Sequence, residues 1–366
     1  MKTKYLSIFF VVLMGLAILG GCGNTGGGPK PTEPAATEGP AATEAAATES
    51  AAPAVSAEPV KIRLNEVTHS IFYAPMYAAI NKGFFAEDNI TVELTNGAGA
   101  DKVMTALVAG EADIGLMGPE ATIYVYNEGR ENYIVNFAQL TNSDGSFLVG
   151  RQPEPDFKWE NLKGKTVIGG RIGGMPEMVL EYTMKKNGIV PQQDVEVLTN
   201  IQFALMGGAF TGGTGDYVNL FEPVASQLEQ TGQGYIVCSL GKESGALPYT
   251  GFSATKEYIA ENEEVIQRFT SSLAKAQAWI QTAPAEEIAE AIKASFPDTD
   301  DALLISSINR YRDQGSWAAT PVFTEEAFEL LQDIMAEAGQ LDKRAPYDAL
   351  VTNQYADKAV AELGGK

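Results

Sequence analysis

The sequence predicts an α/β protein: two related lobes with mainly parallel sheets around a hinge and cleft, plus C-terminal helices. Three observations carry this prediction. Strand-like and helix-like runs alternate through the middle of the chain. One motif is written twice, roughly a hundred residues apart. A long tail then carries apolar residues at three- and four-residue spacing.

The elements follow in chain order. Lys2 and Lys4 precede an apolar run, Tyr5 to Leu19, that ends in Leu19-Gly20-Gly21-Cys22. A basic start, a short apolar stretch and small residues before a cysteine resemble a lipoprotein signal. Residues 1–21 are therefore expected to be cleaved and Cys22 to be lipidated. Residues 22–58 are mostly Gly, Pro, Ala, Thr and Glu, with Val55 the one large apolar residue and Ala-Ala-Thr-Glu recurring at 35–38, 41–44 and 46–49. Such a segment has too little apolar surface to offset the entropy of ordering it. It reads as a tether with a mean span of about 30–35 Å.

Beyond it, Ile62-Arg63-Leu64 opens the first lobe as a strand. A helix over 73–82 ends at Gly83, and Ile90-Thr91-Val92-Glu93-Leu94 alternates as a second strand. The second lobe repeats the order with Thr166-Val167-Ile168, a helix over 176–187 ending at Gly188, and Val195-Glu196-Val197-Leu198. Then comes the doubled motif. Ala106 to Ile114 and Ala209 to Tyr217 share the form Ala-apolar-x-x-Gly-x-x-Asp-apolar. In both, glycine follows a helix and aspartate opens the next strand. The chain is expected to cross near 145–150 and return near 246–251. This gives 59–147 as the first part of lobe 1, 148–247 as lobe 2, and 248–366 as the return to lobe 1 with the C-terminal helices. Helices are expected over 256–283, 285–295, 299–312 and 324–338, with Asp298 and Thr324 as N-caps, packed mostly on the first lobe and bracing the hinge.

Composition narrows the function. The net charge of −21 disfavours nucleic acid and anionic lipid as partners. There are two cysteines and one histidine, His69, so zinc-ligand clusters and intramolecular disulfides are not expected, and any His-based nucleophilic site would have to use His69. Cys238 lies in an apolar run and reads as a buried strand residue. No Gly-x-Ser-x-Gly elbow, phosphate loop or dinucleotide fingerprint is present. The expectation is a protein without cofactor, metal or catalytic residues.

The run YAPMYAAINKGFFAEDNITVELTNGAGADKVMTALVAGEADIGLMGPE, with GKTVIGGRIGGMPEMVLEY and GDYVNLFEP, resembles the type II solute-binding proteins of ABC importers. The likeness covers roughly 60–350 and lies toward the branch that binds nitrate, sulfonates or thiamine-pyrimidine precursors. It implies a monomeric, extracytoplasmic protein, lipid-anchored to the cell membrane, that closes on a small solute. It also implies delivery to an ABC permease and ATPase. A tethered sensor presenting occupancy to a receptor is an alternative. An enzyme is another, because yeast-type pyrimidine synthases share the fold with a cysteine and histidine cluster that this chain lacks.

Ligands of open α/β sheets bind at the carboxyl ends of strands, so residues just after the strands are the candidates. They are Thr68, His69, Ser70 and Tyr73, then Gly118 and Glu120, with Ser143 and Ser146 near the crossing. In the second lobe they are Arg171, Gly174, Met175 and Glu177, then Asn219, Phe221 and Glu222. Gly173-Gly174-Met175-Pro176-Glu177 has the makings of an exposed helix start able to hold an anion or a carbonyl oxygen. Glu120, Glu177 and Glu222 outnumber Arg171 and would repel an anion in a dry site. With Phe72, Tyr73, Tyr77, Phe147, Tyr217 or Phe221 nearby, the expected ligand is a flat nitrogen heterocycle with N–H donors, such as an aminopyrimidine. A small anion is the alternative.

Overall fold

The computed structural model describes residues 59–364. The expected signal, the tether and Cys22 lie outside the described residues. Ten strands form two five-stranded sheets. The first holds β1 (Val60–Glu66), β2 (Ile90–Asn96), β3 (Ile114–Met117), β4 (Ile134–Thr141) and β10 (Thr250–Thr255), in the order β2-β1-β3-β10-β4. The second holds β5 (Ser146–Gly150), β6 (Thr166–Ile168), β7 (Glu196–Leu198), β8 (Tyr217–Phe221) and β9 (Tyr235–Ser239), in the order β7-β6-β8-β5-β9.

The two sheets are built alike. Leu64 of β1 lies between Leu94 and Ile114, all parallel, as Ile168 of β6 lies between Leu198 and Val218. Four strands of each sheet run one way, and only the strand that arrives from the other lobe, β10 or β5, opposes them.

The doubled motif has a physical cause. Asp113 accepts the backbone N–H of Arg63 at 2.8 Å, and Asp216 accepts that of Thr166 at 3.0 Å. Each aspartate thus pins the first strand of its own lobe to the strand it opens. The glycines before them, Gly110 and Gly213, take φ of +71° and +103°, a region that carries no steric cost only for glycine.

The chain crosses between sheets at 142–145 and returns at 245–249, and the two crossings are tied together. Leu247 N–H donates to Asn142 O at 3.1 Å, and the Thr141 and Thr250 hydroxyls are 2.6 Å apart. The first crossing comes earlier than expected, since Ser146 and Phe147 already pair with Phe221 and Leu220 in the second sheet.

The tail divides into Lys256–Glu261, Glu263–Thr282, Ala285–Ile292, Asp301–Gln314 and Glu325–Glu337, with Gln354–Gly364 at the end. Thr324 caps its helix, accepting from Ala327 N–H. Asp298 does not cap the preceding one; Asp300 does, accepting from Leu303 N–H at 2.9 Å, because Asp300 holds the extended backbone that a cap needs. Helix Asp301–Gln314 braces both lobes. Tyr311 Oη accepts the Glu222 N–H at 2.9 Å, and Gln314 holds Ser239 Oγ and the Asp144 carbonyl. Among the described residues no helix is long and apolar enough to cross a membrane.

Candidate functional site

The carboxyl ends of the parallel strands in both sheets open onto one cavity of about 370 Å³. The first lobe supplies Val67 and Thr68 after β1, Asn96 and Ala98–Lys102 after β2, and Gly118 and Glu120 after β3. The second supplies Gly170, Arg171 and Gly174–Pro176 after β6, Thr199–Ala204 after β7, and Phe221 from β8. Tyr249 and Thr250, at the start of the opposed strand β10, close the hinge side. The volume suits a small organic molecule rather than a three-oxygen ion alone.

Eight of the expected site residues line this cavity: Thr68, Tyr73, Gly118, Glu120, Arg171, Gly174, Met175 and Phe221. Glu120 is 2% exposed and folds back over Gly118, where a Cβ would stand 2.0 Å from Glu120 Oε2 and 2.8 Å from Met175 Cγ. Gly118 is therefore glycine for want of space, at a point where the two lobes meet. Burial pushes the Glu120 carboxyl up to about 7, against the pull of backbone N–H groups and Arg171. Its Oε2 has no hydrogen-bond partner within the protein.

Behind it, Asp144 is fully buried. Its Oδ1 accepts from Ser146 N–H at 2.6 Å and Ser146 Oγ at 2.5 Å. Burial pushes Asp144 up to about 7 as well. The buried Tyr249 hydroxyl, raised well above its ordinary value by burial and then by Asp144, faces that carboxyl and makes no other hydrogen bond among the described residues. The inner end of the cavity is thus buried and polar, with Glu120 in its lining beside Tyr73, Phe221 and Tyr249, and Asp144 behind it.

Helix Met175–Lys186 starts at Gly174, in extended conformation and without a side-chain cap, with Pro176 in its first turn. The turn ahead of it is held from both lobes. Glu177 Oε2 accepts the Gly173 N–H at 3.0 Å, and Tyr124 Oη donates to the Gly173 carbonyl at 3.0 Å. Arg171, half exposed, stands 3.9 Å from Asp101 across the mouth.

The other seven expected residues do not line the cavity. His69 places Nδ1 2.8 Å from Glu66 Oε1 and Nε2 2.8 Å from the Ser295 carbonyl, with its ring stacked on Phe296. Two acceptors on one imidazole raise its pKa and make it a staple to the C-terminal helices. Ser70 donates to the Glu222 carbonyl at 2.9 Å, bridging the lobes. Ser143 and Ser146 are buried in the crossing and bond to Asp144. Glu177 is buried as the turn brace just described. Asn219 donates to the Pro176 carbonyl at 3.2 Å from behind the helix start.

Glu222 is the main correction. Its carboxylate accepts from Ser226 N–H at 2.9 Å and Ser226 Oγ at 2.7 Å, with Arg310 at 3.5 Å, so it is committed to the following helix. An amide in its place can keep its oxygen on the Ser226 N–H only by turning its NH2 toward Ser226 Oγ and the Arg310 guanidinium, itself a donor. Glu222→Gln is therefore expected to lower stability by about 1–2 kcal/mol in urea unfolding while ligand affinity in titration stays as in the parent chain. Of the aromatics, Phe72, Tyr77, Phe147 and Tyr217 are core residues.

The lining also includes residues that the sequence reading passed over: the loops after β2 and β7, and Tyr249. The rule that sites follow parallel strands applied to those two strands as well. Tyr249 had no such signal, because it precedes its strand.

A family model described as NMT1/THI5 like matches residues 71–287. The Bacillus subtilis protein YtlA, named as a binding protein, is 47% identical over 302 residues, covering 82% of this chain and 90% of YtlA. The 4-amino-5-hydroxymethyl-2-methylpyrimidine phosphate synthase of Candida albicans is 22% identical over 232 residues, 60% of this chain and 66% of its own. Among solved structures, the alkanesulfonate-binding protein SsuA of Xanthomonas axonopodis pv. citri, bound to MOPS, aligns with a TM-score of 0.66 at 15% identity, over 81% of this chain and 100% of that one. The architecture is the periplasmic binding protein fold.

Proposed function

Since the chain belongs to the NMT1/THI5-like family, we propose that it is the extracytoplasmic solute-binding component of an ABC importer. It captures a nitrogen heterocycle with N–H donors, such as an aminopyrimidine, by hinge closure and delivers it to a membrane permease. Lipidation at Cys22 would hold it at the membrane, where a tethered trap meets its permease at high effective concentration.

The observation that carries the ligand class is the inner end of the cavity. Glu120 Oε2 is a buried acceptor without a hydrogen bond among the described residues, Tyr249 lines the same cavity with Asp144 behind it, and Tyr73 and Phe221 line that end as well. Buried polar groups left unpaired cost stability, and a ligand bearing N–H donors removes that cost on binding. A sulfonate or nitrate would present more acceptors to the same surface. The pyrimidine named in the Candida relative is of the class this surface suits.

A small anion remains the second reading, favoured by Arg171 at the mouth and by the sulfonate-binding neighbour. A thermal-shift panel separates the two. Aminopyrimidines at a hundred times their Kd are expected to add about 2.7 kcal/mol of stability, with sulfonates, taurine and nitrate giving no shift. The opposite pattern would establish the anion reading.

A further inference from the structure

The cavity has two ends of different chemistry. The inner end is buried and polar, as described. The mouth is not. Lys102 lines it and has no acidic partner among the described residues, and Arg171 has only Asp101, at 3.9 Å with both side chains at least half exposed. Such a pair contributes little and is readily re-partnered. Helix Ala100–Val108 begins in the lining at Gly99 with no side-chain cap, so its first N–H groups and positive dipole end face this space; helix Met175–Lys186 also starts uncapped at Gly174, but its Met175 N–H is directed at Glu120 and Pro176 has none. Counting the exposed side chains Lys102, Arg171 and Asp101, the mouth carries one more positive than negative charge, with Glu120, on which Arg171 also pulls, lying deeper.

A neutral heterocycle would fill the inner end and leave this charge and the uncapped start of helix Ala100–Val108 facing water. A bare anion would satisfy the mouth and leave the buried Glu120 acceptor unpaired. We propose that the ligand is amphoteric, with N–H donors toward Glu120 and Tyr249 and a single oxyanion group at the mouth, held by Lys102, Arg171 and the start of helix Ala100–Val108. The inference rests on the heterocycle reading above and extends it. A single negative charge matches the mouth; a dianion such as a phosphate monoester would exceed it.

The test is isothermal titration of the full chain with three 4-amino-2-methylpyrimidines carrying a carboxymethyl, hydroxymethyl or aminomethyl arm at carbon 5. The carboxymethyl compound is expected to bind about tenfold or more tightly than the hydroxymethyl one, with the aminomethyl compound weakest. In a Lys102→Gln, Arg171→Gln double variant that preference is expected to fall to near parity. Hydroxymethyl or aminomethyl binding at least as tightly as carboxymethyl overturns the amphoteric assignment while the heterocycle reading stands. A preference that survives in the double variant overturns the placement of the oxyanion. Binding by none of the three removes the heterocycle reading itself and this inference with it.

Discussion

Urea unfolding at pH 8.5 is expected to show the folded chain less stable than at pH 5.5, by about 2 kcal/mol for each of three buried carboxyls. Glu120, Asp144 and Glu177 are each pushed up to about 7, with burial the leading cause in every case. The direction follows from proton counts. Between the ordinary carboxylate range and pH 7, the folded chain keeps protons that the unfolded chain has released. Stability is therefore full below the ordinary value and is lost as pH rises through about 7. His69, raised by Glu66, adds in the same sense, since its stabilising proton is also lost on going alkaline. Equal or greater stability at pH 8.5 would show that these carboxyls are solvated in the free protein, and the argument for a dry inner end would fall with it. A saturating ligand that donates to Glu120 is expected to flatten the same profile in part, because it favours the ionised form of that carboxyl.

Glu120→Gln is expected to separate binding from folding. The substitution keeps the shape of a side chain lying against Gly118 and Met175, and it removes an ionisable group from a dry site. The variant is expected to be at least as stable as the parent at pH 8, with the pH dependence above reduced by about one third. Ligand affinity is expected to fall by about ten- to a hundredfold, the range for a hydrogen bond to a charged acceptor. Calorimetric titration with an aminopyrimidine, alongside urea melts, reads both effects. Parent-like affinity in a folded variant would place the donor-binding group elsewhere, with the Tyr249 hydroxyl the other polar group that lines that end. The contrast with Glu222→Gln is the useful one. Both residues are buried glutamates at strand ends, yet one substitution should cost binding and the other folding.

That contrast marks where the sequence stopped being legible. The architecture was readable because it is written in local terms. Alternating runs, glycines just past helices at Gly83 and Gly188, and the Gly-x-x-Asp motif each express a backbone demand within a few residues, and Asp113 and Asp216 meet the same demand in both lobes. The walls of the cavity were half readable, since a residue after a parallel strand must lie at one end of the sheet, as Thr68, Gly118, Glu120, Arg171 and Phe221 do. Side-chain direction was not readable, because it depends on partners far away in the chain. Ser226 and Arg310 hold Glu222 out of the cavity, Ser295 and Phe296 take His69, and Tyr249 enters from the returning strand.

The sequence by itself thus determined two α/β lobes, the alternation of their strands and helices, and the sheet ends at which the cavity lies, because strand and helix periodicities and turn glycines are local. Only the tertiary structure decided which carboxylates line the cavity and which brace the protein. A buried carboxylate turns toward whatever donors the fold brings within reach, and those donors lie up to 88 residues away, as Arg310 does from Glu222.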